Sequence, residues 1–242
     1  MSKRSAIVVG VGAEKGLGAA VSRKFAAEGY HVFVGGRTAA RIEQVVKTIR
    51  DSGGSAEAVV VDATSEADVI ALFDRAFASY EPDAVIFNAG DNARIDLRDL
   101  DAATFERMWR VGCFAGFLVG REAARRLVPL GRGTVLFTGA SASLRGKGGF
   151  AQFAAAKAGL RMISQSMARD YGPLGLHVAH IVIDGGIDGA RLEQGQPERY
   201  AKQAADTLLD ISAIADAYWY LHTQHRSAWT QELDLRPGAE SF

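Results

Sequence analysis

The sequence predicts an α/β fold in which one doubly wound parallel sheet of seven strands is flanked by helices. Three observations carry this expectation. Short apolar runs rich in β-branched residues alternate with longer segments of helical period. The apolar runs are continuous, the pattern of strands covered on both faces. The chain has only 5 prolines in 242 residues, and no Pro/Gly/Ser-rich linker, repeat or low-complexity tract divides it, so residues 1–242 are expected to form a single domain.

In chain order, the first strand is expected at Ala6–Gly10, directly after the short basic stretch Met1–Ser5. A helix over Gly16–Glu28 follows, then a strand at His31–Gly35 and a helix at Ala39–Asp51. The third strand, Ala56–Val61, leads to a helix at Glu66–Ser79, and the fourth, Asp83–Phe87, to a long helix at Ala102–Val128. A fifth strand at Thr134–Phe137 precedes a helix at Phe150–Tyr171. The sixth, His177–Ile183, is followed by the irregular, polar stretch Ile187–Lys202, read as a flap over a site. A helix at Asp206–Leu221 and a strand at Thr230–Leu235 close the pattern.

Composition narrows the function classes. Hydrophobic residues make up 48% of the chain, enough for a full core, and Lys+Arg and Asp+Glu both number 28, which argues against a nucleic-acid groove or a membrane surface. The dense basic run Arg121–Arg126 carries Glu122 within it and reads as a solvated helix face. With 1 cysteine there is no internal disulfide. That residue, Cys113, lies in the apolar run Val111–Val119 and reads as a small buried hydrophobe. No apolar leader and no long uncharged apolar stretch is present, so a cytoplasmic protein is expected. The pair His222-x-x-His225 has no third ligand nearby, and no metal is expected.

The chemistry begins at the glycine-rich turn Gly12-x-x-x-Gly16-x-Gly18, between the first strand and the first helix. Glycines there allow a tight turn and close backbone approach, and the helix N-terminus offers free N–H groups to a pyrophosphate, the arrangement of a dinucleotide-binding Rossmann fold. Lys15 lies inside the turn, and Arg37 follows the second strand, where an acidic residue would bind the ribose 2′-hydroxyl of NAD. Two basic residues suit a 2′-phosphate, so NADP(H) is the expected cofactor in preference to NAD(H).

These residues and those that follow resemble the short-chain dehydrogenase/reductase family over nearly the whole chain. Gly12, Gly16 and Gly18 match its glycine motif, with Leu17 inside the same turn and Val11 in place of the usual Thr. Asp62, with Ala63 beside it, matches the acidic residue that contacts the adenine. Asn88-Ala89-Gly90 matches the turn after strand four, and Lys157 matches the lysine of the Tyr-x-x-x-Lys motif. Asp184-Gly185 stands where a Pro-Gly pair supports the nicotinamide, with Ile187 close behind. The resemblance implies that all of these contact the cofactor.

The departures bear on the reaction. The family's proton-donating Tyr falls on Phe153, its Ser on Ala140, and its helix Asn on or near Gly112, so of four catalytic positions only Lys157 remains. The stretch Ala140–Gly146, followed by Phe153 and Lys157, resembles a divergent subgroup that carries Phe in place of the Tyr. Phe153 has no ionisable group, and general acid–base catalysis is worth about 10²–10⁴-fold. Ser141 is a substitute donor if the strand end shifts by one residue, a water held by Lys157 is another route, and His180, Asp184 and Tyr200 are further candidates for the pocket, although each of these residues reads first as structural or surface. Two readings follow. One is an NADP(H)-dependent oxidoreductase acting on a small carbonyl or alcohol substrate by a non-standard proton route. The other is an NADP(H)-binding protein with little or no catalysis, serving as a sensor or partner subunit. Apolar residues on the two long helices, among them Phe114, Phe117, Leu118, Phe150, Phe153, Leu160 and Met162, cannot all turn inward, so a homodimer or homotetramer is expected.

Overall fold

A computed structural model describes residues 4–201 and 207–239. The chain order is β1 (Arg4–Val9), α1 (Leu17–Ala27), β2 (His31–Gly36), α2 (Ala39–Asp51), β3 (Ser55–Val60), α3 (Glu66–Ser79), β4 (Glu81–Phe87), α4 (Ala102–Trp109), α5 (Ala115–Leu127), β5 (Thr134–Thr138), α6 (Ala151–Tyr171), β6 (His177–Ile183), β7 (Gly186–Ile187), α7 (Ala190–Gly195), α8 (Pro197–Ala201), β8 (Leu208–Leu209), α9 (Ile211–His222) and β9 (Glu232–Leu235). Seven strands form one sheet in the order β3-β2-β1-β4-β5-β6-β9, and every neighbouring pair is parallel. The order reverses between β1 and β4, which opens a crevice at the C-terminal ends of those strands.

Alternation along each strand sends side chains to two cores. Ala6 and Val8 of β1 join the cluster built with α1, α2 and α9, while Ile7 and Val9 join the one built with α3, α5 and α6. Residues 6–9 are therefore at most 1% exposed, which is why the sequence shows a continuous apolar run instead of an alternating one.

Three sequence expectations are corrected. The single helix over Ala102–Val128 is two helices joined by a π turn at Arg110–Phe114. The turn packs on α6, where a Cβ added at Gly112 would lie 2.9 Å from the Ala156 Cβ; apolar periodicity does not register one extra residue in a helical turn. The stretch Ile187–Lys202 is not irregular: β7 pairs with β8, and α7 and α8 follow. Lys202 lies outside the described residues, as do Asp206 and Met1–Lys3. Helix α9 begins only at Ile211, because Asp210 caps it by accepting from the Ser212 and Ala213 N–H groups, both at 2.8 Å. No described helix is long and apolar enough to cross a membrane.

Candidate active site

The crevice is built first from backbone. Gly10 closes β1 at φ +94°, and a Cβ there would fall inside the contact radius of the Ala89 N. Only glycine accepts both that conformation and that approach. The Asn88 side chain locks the same junction: its Nδ2 donates to the Gly10 carbonyl at 3.1 Å, and its Oδ1 accepts from Thr138 Oγ1 at 3.1 Å. Thr138 thereby uses its proton on Asn88, so buried Tyr218 donates to Thr138 Oγ1 at 2.6 Å. Burial raises the Tyr218 phenol and keeps it a donor. One network thus joins the ends of β1, β4 and β5 to α9.

Around this floor the expected cofactor residues gather. A Cβ at Gly12 would meet nothing within 4 Å, whereas one at Gly16 would sit 2.8 Å from the Ala13 carbonyl and one at Gly18 3.0 Å from Asn88 Nδ2. Gly16 and Gly18 thus serve internal packing, and Gly12 leaves space open to a ligand. Helices α3, α4 and α9 are capped by Ser65, Asp101 and Asp210, whereas α1, with Gly16 at its N-cap, has no side-chain cap and no acidic residue in its first turn, as is also true of α2 and α6. Leu17, buried, is its first residue. The open space and the uncapped N–H groups suit a diphosphate. Asp62 follows β3, exposed, accepting from Thr64 N–H at 2.9 Å, which holds its carboxyl below the usual range; Ala63 beside it is buried. Ala89, Gly90, Gly185 and Ile187 are half-buried along the same edge.

The two basic residues separate. Arg37 is exposed and makes no hydrogen bond or ion pair to any described residue; its charge reaches Asp62. Lys15 is spent elsewhere. Its Nζ donates to Tyr200 Oη at 2.7 Å and lies 3.1 Å from Asp188 and 3.5 Å from Glu193, contacts that raise its pKa. Lys15 thus faces acids of the segment after β6, and Tyr200 in turn gives its own proton to Asp188 at 2.6 Å. Glycine spacing carries no information on acids that arrive nearly two hundred residues later.

At the catalytic positions, Lys157 is 4% exposed, and its Nζ donates to the Thr138 carbonyl at 2.7 Å. A Cβ at Gly90 would lie 3.2 Å from that ammonium. Burial, helped by the Arg191 charge, lowers the Lys157 pKa to about 8. No described carboxylate pairs with it. Phe153, four residues earlier on α6, is half-buried. Ala140 keeps extended backbone, and Ser141 begins a short 3-10 turn, half-buried and with no hydrogen bond from its hydroxyl to a described residue.

Two other candidate donors have internal partners, in keeping with the structural reading that the sequence favours. His180 is fully buried; its Nε2 meets Ser143 Oγ at 3.2 Å and its Nδ1 meets Glu232 at 3.1 Å, and desolvation lowers it to about 4. Asp184 is buried and clamped between Arg145 at 2.8 Å and Arg236 at 2.7 Å, so its carboxylate faces two guanidiniums. The pair His222 and His225 divides likewise: His222 bonds Tyr30 and Thr134, and His225 caps the 3-10 turn at Arg226–Ala228. Cys113 is buried.

Sequence reasoning missed Gly10, Thr138 and Arg191. Gly10, a glycine closing an apolar run, carried a readable signal. Thr138 carried a weak one, as a hydroxyl at a strand end. Arg191 carried none, since the Gly90 carbonyl it bonds is 101 residues away.

Residues 6–199 match the family model described as short chain dehydrogenase. A cis-4-hydroxycyclohexanecarboxylate dehydrogenase from Sinomonas cyclohexanicum is 32% identical over 174 residues, covering 71% of this chain and 70% of that protein. A protein of Escherichia coli K12 described as a cyclic-di-GMP-binding biofilm dispersal mediator is 29% identical over 181 residues, covering 74% of this chain and 71% of its own. Among solved structures, a short-chain dehydrogenase from Rhodopseudomonas palustris superposes with a TM-score of 0.84 at 38% identity, covering 98% of this chain and 100% of that one.

Proposed function

Because the chain belongs to the short-chain dehydrogenase family, we propose that it is an NADP(H)-dependent oxidoreductase acting on a small alcohol or carbonyl compound by a proton route that does not use tyrosine. The observation that carries this reading is Lys157. A buried ammonium with one hydrogen bond, to Thr138, and no described carboxylate partner is a costly arrangement unless a ligand uses its remaining donors. Ribose hydroxyls are suitable acceptors.

The residues fit a dinucleotide. The uncapped start of α1 and the space at Gly12 suit the diphosphate, Arg37 the 2′-phosphate, Asp62 the adenine and Lys157 the nicotinamide ribose. When bound, the nicotinamide supplies hydride chemistry. The protein's part is the proton. Phe153 has none to give, and Ala140 offers no hydroxyl to a developing alkoxide. Lys157, at a pKa of about 8, can hold a proton at neutral pH and release it as charge develops on the substrate oxygen, directly or through the Ser141 hydroxyl. The combination of Phe153, Ala140 and Lys157 supports placement in a divergent Phe-for-Tyr branch of the family.

The exposed apolar residues Phe105, Phe117 and Met162 on α4, α5 and α6 support assembly as a homodimer or homotetramer. A light-scattering mass equal to the 25.8 kDa chain at micromolar concentration overturns that.

The test of the reaction is NADPH oxidation with aldehydes, ketones and oxo-acids, and NADP⁺ reduction with cyclic hydroxy-acids of the kind named for the Sinomonas relative. The expected result is slow but saturable turnover, lost in Lys157→Ala, with reduction falling as pH rises through about 8 because the donor must be protonated. A reduction rate flat across that range overturns the lysine route. The second reading, binding without turnover, is favoured by the missing hydroxyls at 140 and 153 and by the E. coli relative named for ligand binding. Tight NADPH binding with no turnover on any substrate decides for it.

A further inference from the structure

The segment after β6 folds back over the crevice. The Ala190 N–H donates to the Lys15 carbonyl at 2.7 Å, and Gly189 approaches so closely that a Cβ would sit 3.0 Å from the same oxygen. From this anchor the Arg191 side chain reaches the opposite wall, where its Nη2 donates to the Gly90 carbonyl at 3.1 Å. The two anchor points follow β1 and β4, the strands between which the sheet order reverses. Arg191 therefore spans the crevice from wall to wall at the place where an open α/β sheet takes its ligand.

The charges around it are uneven. Asp188 and Glu193, the acids on either side of Arg191 in sequence, both face Lys15. Asp91, next to Gly90, pairs with Arg107 at 2.9 Å. Among the described residues no carboxylate pairs with Arg191, and none pairs with Lys157 below it. Two cations thus face one crevice without an anion between them. The guanidinium uses one of its donors on Gly90, and the rest of its planar fork is free for a second oxygen group.

We propose that Arg191 clamps the diphosphate of the dinucleotide held in this crevice. The inference rests on the dinucleotide reading above and adds to it the residue that bridges the two walls of the site over the ligand. Lys15, the basic residue inside the glycine turn, serves instead to tether the segment that carries Arg191. A substrate carboxylate is the other anion a guanidinium here could take, and the experiment separates the two.

Calorimetric titration of wild type, Arg191→Ala and Arg191→Lys with NADPH, NADH, ADP-ribose and 2′,5′-ADP tests the clamp, with thermal melts to establish that the variants are folded. Arg191→Ala is expected to weaken NADPH, NADH and ADP-ribose alike, by about tenfold or more, the size of one charge-assisted hydrogen bond. Arg191→Lys should recover part of the loss. 2′,5′-ADP, which has two phosphates but no diphosphate, should lose less. Dinucleotide affinities unchanged in Arg191→Ala, with wild type binding them normally, overturn the clamp and leave the guanidinium to substrate. An equal loss for 2′,5′-ADP overturns the assignment to the diphosphate. Wild type that binds none of the four ligands overturns the dinucleotide reading, and the clamp with it.

Discussion

The two edges of the sheet treat polar groups in opposite ways. At the N-terminal edge the strands begin with Arg4, His31, Glu81, Thr134 and His177, and this end is plugged. Tyr30, Trp219 and His222 pack around Phe25 with ring centroids 5.2–5.7 Å apart, His31 stacks on Tyr80 at 4.0 Å, and His177 stacks on Trp229 at 4.9 Å. At the C-terminal edge the strands run into Gly10, Gly36, Asn88, Gly139 and Asp184, where backbone segments approach one another closely. One edge spends its side chains on packing, while the other holds two cations, Lys157 and Arg191, that have no carboxylate partner among the described residues. Parallel strands put all their C-terminal ends on one side, so a single topological choice decides which edge binds and which holds the fold together.

The largest effect expected from disturbing this division is at Gly10. Gly10→Val places a β-branched side chain at φ +94° against the Ala89 backbone. The cost should be about 3 kcal/mol or more, enough to lower the melting temperature by roughly 10 °C. A melting temperature within error of wild type contradicts the close approach of β1 and β4.

The plugged edge should be the acid-labile one. Burial, with the charges of Arg4 and His177, lowers His222 to about 4. The unfolded chain therefore takes up the proton first as pH falls, and stability from this group is complete above the ordinary histidine value of about 6.5 and lost on the way to pH 4. The loss should approach 3 kcal/mol. His180 acts in the same direction, while Asp83, raised by burial and with its Oδ1 3.9 Å from the His222 Nε2, offsets part of it. Denaturant melts from pH 7 to 4 should show a shallower decline for His222→Asn than for wild type. Parallel declines remove His222 from the account.

At the open edge, Arg37→Ala should weaken NADPH about tenfold and leave NADH nearly unchanged, because one charge-assisted phosphate contact is lost. Equal losses for both cofactors, read by calorimetry, move the 2′-phosphate elsewhere.

The smallest effect is expected from Phe153→Tyr alone, which restores a phenol near Lys157 but no hydroxyl at 140. Carbonyl reduction should change by less than about threefold. Adding Ala140→Ser and Gly112→Asn should help further only when Ala156→Gly also makes room, since the Gly112 position faces Ala156 at 2.9 Å. Full recovery in the single variant shows that Phe153 alone limits the rate.

The sheet and the glycine turn were legible because burial on both faces forces continuous apolar runs and a strand-to-helix turn demands glycine. Lys157 and Phe153 were legible through motif spacing along one helix. What sequence could not show depends on distant partners. Lys15 reads as a phosphate ligand until Asp188 and Tyr200 meet it, and His180 reads as a candidate acid until Glu232 takes its Nδ1. The π turn at Arg110–Phe114 leaves apolar spacing intact and is invisible for that reason.

The edge strand β9 ties these partners to the order of synthesis. Glu232 accepts from Arg161 of α6 at 2.6 Å and sits against His180 of β6 at 3.1 Å. A nascent chain that has delivered β6 but not residue 232 leaves the His180 Nδ1 and the guanidinium of Arg161 without their shared carboxylate. Arg161 of α6 and His180 of β6 thus gain their shared carboxylate only once β9 has been made.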